Sequence, residues 1–184
     1  MTKNILITGA ATGLGRATVL KLAENGHNIA VVDFNVEEGE KTVALAKEAG
    51  ANALFIQADV SNEENVQNYV AKTIEAFGTI DVFFNNAGLM IPFRLLHEYD
   101  ENEYDRIMNV NVKGAFFGVK YVISHMLENG GGTIVNTVSS NSFKPTAYNG
   151  VYSMSKHALN GLTKSIGQDY QDKNIFAVGV APNN

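Results

Sequence analysis

Short runs of apolar, largely β-branched residues recur along the chain at residues 4–8, 28–32, 53–57, 80–84, 133–138 and 175–180. Their length and residue types predict six strands. Between them, apolar positions return every three or four residues over 14–25, 36–49, 63–77, two stretches within 101–128, and 152–170, which predicts helices. The strands are apolar on consecutive positions rather than on alternate ones, as expected of a parallel sheet covered on both faces by helices. Right-handed crossovers then favour an α/β doubly wound sheet, whose ligand crevice lies beyond the carboxyl ends of the strands. No linker, repeat or low-complexity segment breaks this alternation, so residues 1–184 are read as one domain.

Composition narrows the function classes. The 184 residues carry 19 acidic and 14 basic side chains, a formal charge of -5, with no basic stripe to meet a phosphate backbone, so nucleic acid is not an expected partner. The chain has no apolar run of transmembrane length, and its N-terminus enters a strand pattern directly, which reads as a cytoplasmic protein without a membrane partner. With no cysteine there is no disulfide, thiol nucleophile or thiolate-held zinc, and His27, His97, His125 and His157 lack metal-ligand spacing. No metal is expected.

The first strand ends in a turn that holds Gly9, Thr12, Gly13, Leu14 and Gly15, and a helix follows at once. Glycines there allow a tight turn and let a pyrophosphate approach free N–H groups at the positive end of a helix dipole. The same glycines could form an ordinary loop, and their spacing is not that of the longer G-x-G-x-x-G fingerprint. Strand two ends at Asp33, followed by Phe34. A carboxylate at that point can accept both hydroxyls of an adenosine ribose and repel a 2'-phosphate, which favours NAD over NADP; it could also be a turn or cap residue. Asp59, with Val60, could cap the next helix or touch an adenine.

Tyr152 and Lys156 lie four apart near the start of the last helix and so share a face. An ammonium close to a phenol favours the phenolate and makes tyrosine a usable proton acceptor. Ser139, Ser140 and Ser142 follow strand five, where a serine hydroxyl can hold a carbonyl oxygen, although serines after a strand are also common turn formers. Asn85 and Asn86 read on their own only as a polar turn after an apolar strand.

Together, Thr8-Gly9-x-x-x-Gly13-x-Gly15, Asn85-Asn86-Ala87-Gly88, Asn111-Val112-Lys113-Gly114, the Ser140 region and Tyr152-x-x-x-Lys156 resemble the motifs of the short-chain dehydrogenase/reductase family, in order and spacing. The resemblance runs from Lys3 onward. It implies a Rossmann-like sheet of order 3-2-1-4-5-6, and hydride transfer between NAD and an alcohol or ketone. It further implies that Tyr152 is the general acid and base, that Lys156 lowers its pKa and holds the nicotinamide ribose, that Ser140 orients substrate, and that Asn111 anchors a proton relay. Asn86, Ala87 and Gly88 would line the cofactor site, as would Pro182. Homodimers or homotetramers are implied, built on the last helix and the one around Phe116.

The match departs from the family in three places. Ser140 stands 12 residues before Tyr152, one fewer than the commoner spacing, which keeps Ser139 and Ser142 as further candidates. Asn183 occupies a position where glycine is usual, and the chain is expected to be C-terminally short, without a seventh strand or a substrate lid. That shortness keeps open a second reading, a catalytically idle NAD-binding module that senses redox state. Leu89, Met90, Ile91, Pro92 and Phe93, with the loop 142–151, should shape the substrate pocket and suggest a small, mostly uncharged alcohol or ketone. Arg94 and His97 could instead bind an acidic group, or be solvated charges beside Glu98.

Overall fold

Strand and helix alternate as the apolar pattern requires: β1 (Asn4–Thr8), α1 (Gly13–Ala23), β2 (Asn28–Asp33), α2 (Val36–Glu48), β3 (Asn52–Gln57), α3 (Glu63–Phe77), β4 (Val82–Asn85), α4 (Glu101–Met108), α5 (Ala115–Glu128), β5 (Gly132–Thr137), α6 (Gly150–Tyr170) and β6 (Ile175–Val180). This computed structural model describes residues 1–182; the turn anticipated at Asn183 lies outside them. The six strands form one parallel sheet in the order β3-β2-β1-β4-β5-β6, a Rossmann-like arrangement.

The period-two alternation of the strands splits the core into two layers. Leu6, Ala30, Val32, Phe83 and Ile134 face α3, α5 and α6, where they meet Val66, Val122, Met126 and Ile166. Ile5, Ile7, Ile29 and Val31 face the other way, onto Val19 and Ala23 of α1 and Val43 and Ala46 of α2. On that second face the helices stop short of the β5 and β6 side. Phe176 and Val178 are exposed there, and Val180 joins Ile5, Val82, Phe84 and Val135 in an apolar groove of about 630 Å³.

Most element ends lie within two residues of the pattern, and two differences have a structural cause. Strand four begins at Val82 rather than at Ile80: Asn4 receives a hydrogen bond at its carbonyl from the Asp81 amide, so pairing with β1 starts only there, while Ile80 is buried before the strand. The two helical stretches of 101–128 are not separated by a loop. They join through a π-helical segment, Asn109–Gly114, whose extra residue per turn rotates Asn111 fully into the interior.

The turns after β1 and β4 are stitched together by side chains. Thr8, completely buried, accepts hydrogen bonds at Oγ1 from the amides of Asn86 and Ala87, both at 3.1 Å. Asn86 Nδ2 donates to the carbonyls of Thr8 and Gly9 at 3.1 Å, and its Oδ1 accepts from Thr137 Oγ1 at 2.9 Å. One asparagine therefore connects the ends of β1, β4 and β5. Deeper in, Asn85 donates to Asn136 Oδ1 at 3.0 Å and Asn136 donates to Thr163 Oγ1 at 2.9 Å, which fixes α6 against the sheet.

Thr8→Val keeps the shape of the side chain and leaves two amides without their acceptor. It should lower unfolding stability by about 2 kcal/mol in urea or thermal denaturation. A loss below about 0.5 kcal/mol would show that these bonds do not hold the two turns together.

Candidate active site

The carboxyl ends of β1 to β4 open into a cleft of about 400 Å³. Its floor is the turn between β1 and α1. Gly9 has φ +63°, which a side-chain-bearing residue adopts poorly, and a Cβ there would come within 2.8 Å of Ala87 Cα. A Cβ on Gly15 would overlap the carbonyl oxygen of Gly9. Glycine at these two points lets α1 sit directly on the turn and the turn directly on the end of β4. Thr12 makes no side-chain cap and no acidic residue occupies the first turn of α1, so its leading N–H groups keep the partial positive charge that attracts an anion.

Asp33 forms one wall. Its Oδ2 accepts from the Ala11 amide and its Oδ1 from the Asn35 amide, each at 3.0 Å, so the carboxylate is fixed in place beside the glycine turn. Phe34 lies exposed at the rim, while Asp59 and Val60 form the opposite end. Asp59 does not cap α3. Asn62 does so, accepting from the Asn65 amide at 3.1 Å, and Asp59 Oδ1 instead accepts from the amide and hydroxyl of Ser61 at 2.9 and 2.7 Å. Cap and turn needs are thus met in sequence, with Asp59 three residues too early to cap the helix.

Asn86, Gly88 and Leu89 also line a second cavity of about 370 Å³, shared with Met90, Phe93, Ser139, Ser140, Tyr152, Lys156 and Pro182. Lys156 is 3% exposed, and its Nζ donates to the Thr137 carbonyl at 2.7 Å and lies 5.7 Å from the centre of the Tyr152 ring. Burial lowers its pKa to about 8. Tyr152 is half-buried, and that burial pushes its phenol above the ordinary value, while a hydrogen bond from Ser139 acts in the opposite direction. Burial is the larger of these two influences on the phenol. Ser139 and Ser140 both line the cavity with Tyr152. Ser139 continues the extended backbone of β5, with φ -159° and ψ 162°, whereas Ser140 begins a 3-10 turn, Ser140–Ser142.

Asn111 is completely buried behind the lysine. Its Oδ1 accepts from the Leu89 amide at 2.8 Å, and its Nδ2 donates to the Leu89 carbonyl at 2.9 Å and to Ser155 Oγ at 3.1 Å. A Cβ on Gly88 would stand 3.3 Å from Asn111 Oδ1 and 3.4 Å from Lys156 Nζ. The segment after β4, the π-helical turn and α6 thus meet at one point.

Of the residues singled out by sequence, Gly9, Thr12, Leu14, Gly15, Asp33, Phe34, Asp59, Val60, Asn86, Ala87 and Gly88 line the first cavity, and Tyr152, Lys156, Ser140 and Pro182 the second. Gly13 lines neither, although it opens α1. Asn35, Ala58 and Val110 line the first cavity without having been anticipated, and Leu89, expected only at the substrate pocket, lines both cavities. Ala58 ends β3 and could have been found from the rule that ligands lie beyond strand ends; Val110 could not, because the π-helical turn that exposes it has no sequence signature. Arg94 pairs with Glu103 at 2.9 Å rather than with Glu98, which accepts from the Leu95 amide. Among the described residues, no cluster of three or more acidic or histidine side chains is placed to hold a metal, and no helix is long and apolar enough to cross a membrane.

The short chain dehydrogenase family pattern matches residues 3–184. An uncharacterized oxidoreductase of Thermotoga maritima is 41% identical over 180 residues, spanning 98% of this chain and 70% of that protein. Levodione reductase of Leifsonia aquatica is 37% identical over 180 residues, 97% of this chain and 67% of its own length. The solved structure of NAD+-bound xylitol dehydrogenase superposes with a TM-score of 0.95 at 37% identity, covering 98% of this chain and 69% of that one. The chain belongs to the short-chain dehydrogenase family of oxidoreductases.

The depressed Lys156 pKa has a consequence for stability. Between pH 8 and 10.5 the unfolded chain binds a proton at this lysine that the folded chain does not, so stability rises with pH across that window. The full penalty, about 3 kcal/mol, applies below pH 8. Above pH 10, Tyr152 and Tyr69, whose folded values are raised by burial, release protons more readily when unfolded and reverse the trend. Urea denaturation of the wild type and Lys156→Met should differ in slope against pH between 8 and 10; parallel curves would mean that Lys156 is protonated normally in the folded chain.

Proposed function

We propose that this protein transfers a hydride between NAD(H) and the carbinol or carbonyl carbon of a secondary alcohol or ketone, with Tyr152 as general acid and base. The observation that carries this reading is the convergence of Tyr152, Ser139 and Lys156 on a cavity that shares Asn86, Gly88 and Leu89 with the glycine-floored cleft. The cleft fits a dinucleotide: its glycine floor leaves backbone where side chains would stand, and the leading N–H groups of α1 suit a pyrophosphate. Asp33 is placed for ribose hydroxyls, and Ala58, Asp59 and Val60 form the far wall that suits an adenine. When bound, the nicotinamide supplies or accepts the hydride.

The chain's own groups handle the proton. In the oxidation direction Tyr152 takes the proton of the substrate hydroxyl; in reduction it returns one to the forming alkoxide. Ser139, rather than Ser140, donates a hydrogen bond to the substrate oxygen and to the phenolate, where negative charge develops. Lys156 holds a ribose hydroxyl and stabilises the phenolate through its charge. Asn111 fixes the Leu89 backbone that borders both cavities.

A carboxylate at Asp33, with its neighbour Phe34 and no basic residue beside it in the cleft lining, favours NAD over the 2'-phosphate-bearing NADP. Met90 and Phe93 make the substrate side partly apolar, in keeping with an uncharged alcohol or ketone. Exposed Phe116 and Leu127 on α5 and Met154 on α6 are the surfaces on which a homodimer or homotetramer would form.

Tyr152→Phe removes only the phenolic oxygen. Its kcat with an active secondary alcohol should fall at least about a hundredfold, while NADH affinity stays within about threefold of the wild type. Turnover retained by Tyr152→Phe would eliminate the proposed acid and base.

A further inference from the structure

We propose that Ser142 is a positioning residue, whose hydroxyl fastens the backbone of Ser139 to the carbonyl of Lys156 and so fixes Ser139 in the cavity that it lines with Tyr152. The inference rests on the reading of Ser139 and Tyr152 given above. Ser142 is 2% exposed. Its Oγ donates to the Lys156 carbonyl at 2.8 Å and accepts from the Ser139 amide at 3.1 Å. An amide nitrogen only donates and a carbonyl only accepts, so the direction of both bonds is fixed by chemistry, and the hydroxyl has no spare proton for another partner.

The arrangement answers a structural need. β5 ends at Thr137, and the chain from Ser139 to Asn149 has one 3-10 turn as its only regular element before α6 begins. Within it Tyr148 takes a left-handed backbone, φ +62°. Such a segment does not by itself hold Ser139 at a set distance from a tyrosine on the next helix. Ser142 joins the segment to α6 at the residue that carries the ammonium. A second tie lies one helical turn earlier, where Ser153 Oγ donates to Asn141 Oδ1 at 3.0 Å, and the Asn141 amide in turn donates to Ser139 Oγ at 3.2 Å. Serine, tyrosine and lysine thereby move as one body, and displacements near 1 Å at such a site cost about a hundredfold in rate. Tyr152 and Lys156 are the titratable groups that line this cavity, so the phenol is read at a pH where the lysine, with its pKa of about 8, holds its proton.

The test uses protein labelled with 13C at tyrosine Cζ, with the Tyr152 resonance assigned by its loss in Tyr152→Phe. At pH 6, Ser139→Ala should displace that resonance, Ser142→Ala should displace it in the same direction, and the double variant should go no further than Ser139→Ala alone. Ser142→Thr, which keeps the hydroxyl, should leave it at the wild-type position. In turnover assays Ser142→Ala should lose at least tenfold in kcat, with KM for NAD+ within about threefold. A Tyr152 resonance unmoved by Ser142→Ala but moved by Ser139→Ala overturns this inference alone. A resonance unmoved by Ser139→Ala removes the Ser139–Tyr152 contact, and with it both this inference and the role given to Ser139.

Discussion

The close approach of two backbones, Gly9 against Ala87, is the constraint on which the rest of the site depends. Any side chain at Gly9 would need both a left-handed backbone and space already filled by the end of β4. Because none is there, Thr8 and Asn86 can exchange hydrogen bonds across the gap, and α1 can start directly above it with its N–H groups exposed to the cleft. The cofactor side and the catalytic side are consequently parts of one rigid unit: Asn86 reaches from Gly9 to Thr137, and the carbonyl of Thr137 receives Lys156 Nζ.

On the catalytic side, burial sets the electrostatics. An ammonium almost without solvent loses hydration and so binds its proton less firmly, and a half-buried phenol resists ionisation. Both effects oppose the charged pair that proton abstraction needs. The polar groups that counter them are few and fixed: the Thr137 carbonyl for the lysine and the Ser139 hydroxyl for the tyrosine. Preorganised polar groups of this kind act without reorganising during the reaction, which fits the ties between the segment after β5 and α6.

Much of this was legible in the sequence, because parallel strands advertise themselves as continuous apolar runs and their carboxyl ends locate the crevice. The positions of α3 and β6 follow the apolar pattern to the residue. What escaped depends on rotations that composition does not encode. Extended backbone gives way to a 3-10 turn between Ser139 and Ser140, and the run of serines does not announce that change. Val110 reaches the cleft through a π-helical insertion, and Asp59 leaves the capping of α3 to Asn62, three residues later. The cleft walls at Ala58 and Leu89 belong to residues with no chemistry of their own, so no motif draws attention to them.

The central claim is that the glycine-floored cleft, with Asp33 as its wall, receives a nicotinamide dinucleotide that carries no 2'-phosphate. Calorimetric titration of this chain with NADH and with NADPH tests it directly. Micromolar binding of NADH with NADPH binding at least tenfold weaker is the predicted result; equal affinity for the two, or no binding of either, would contradict the account.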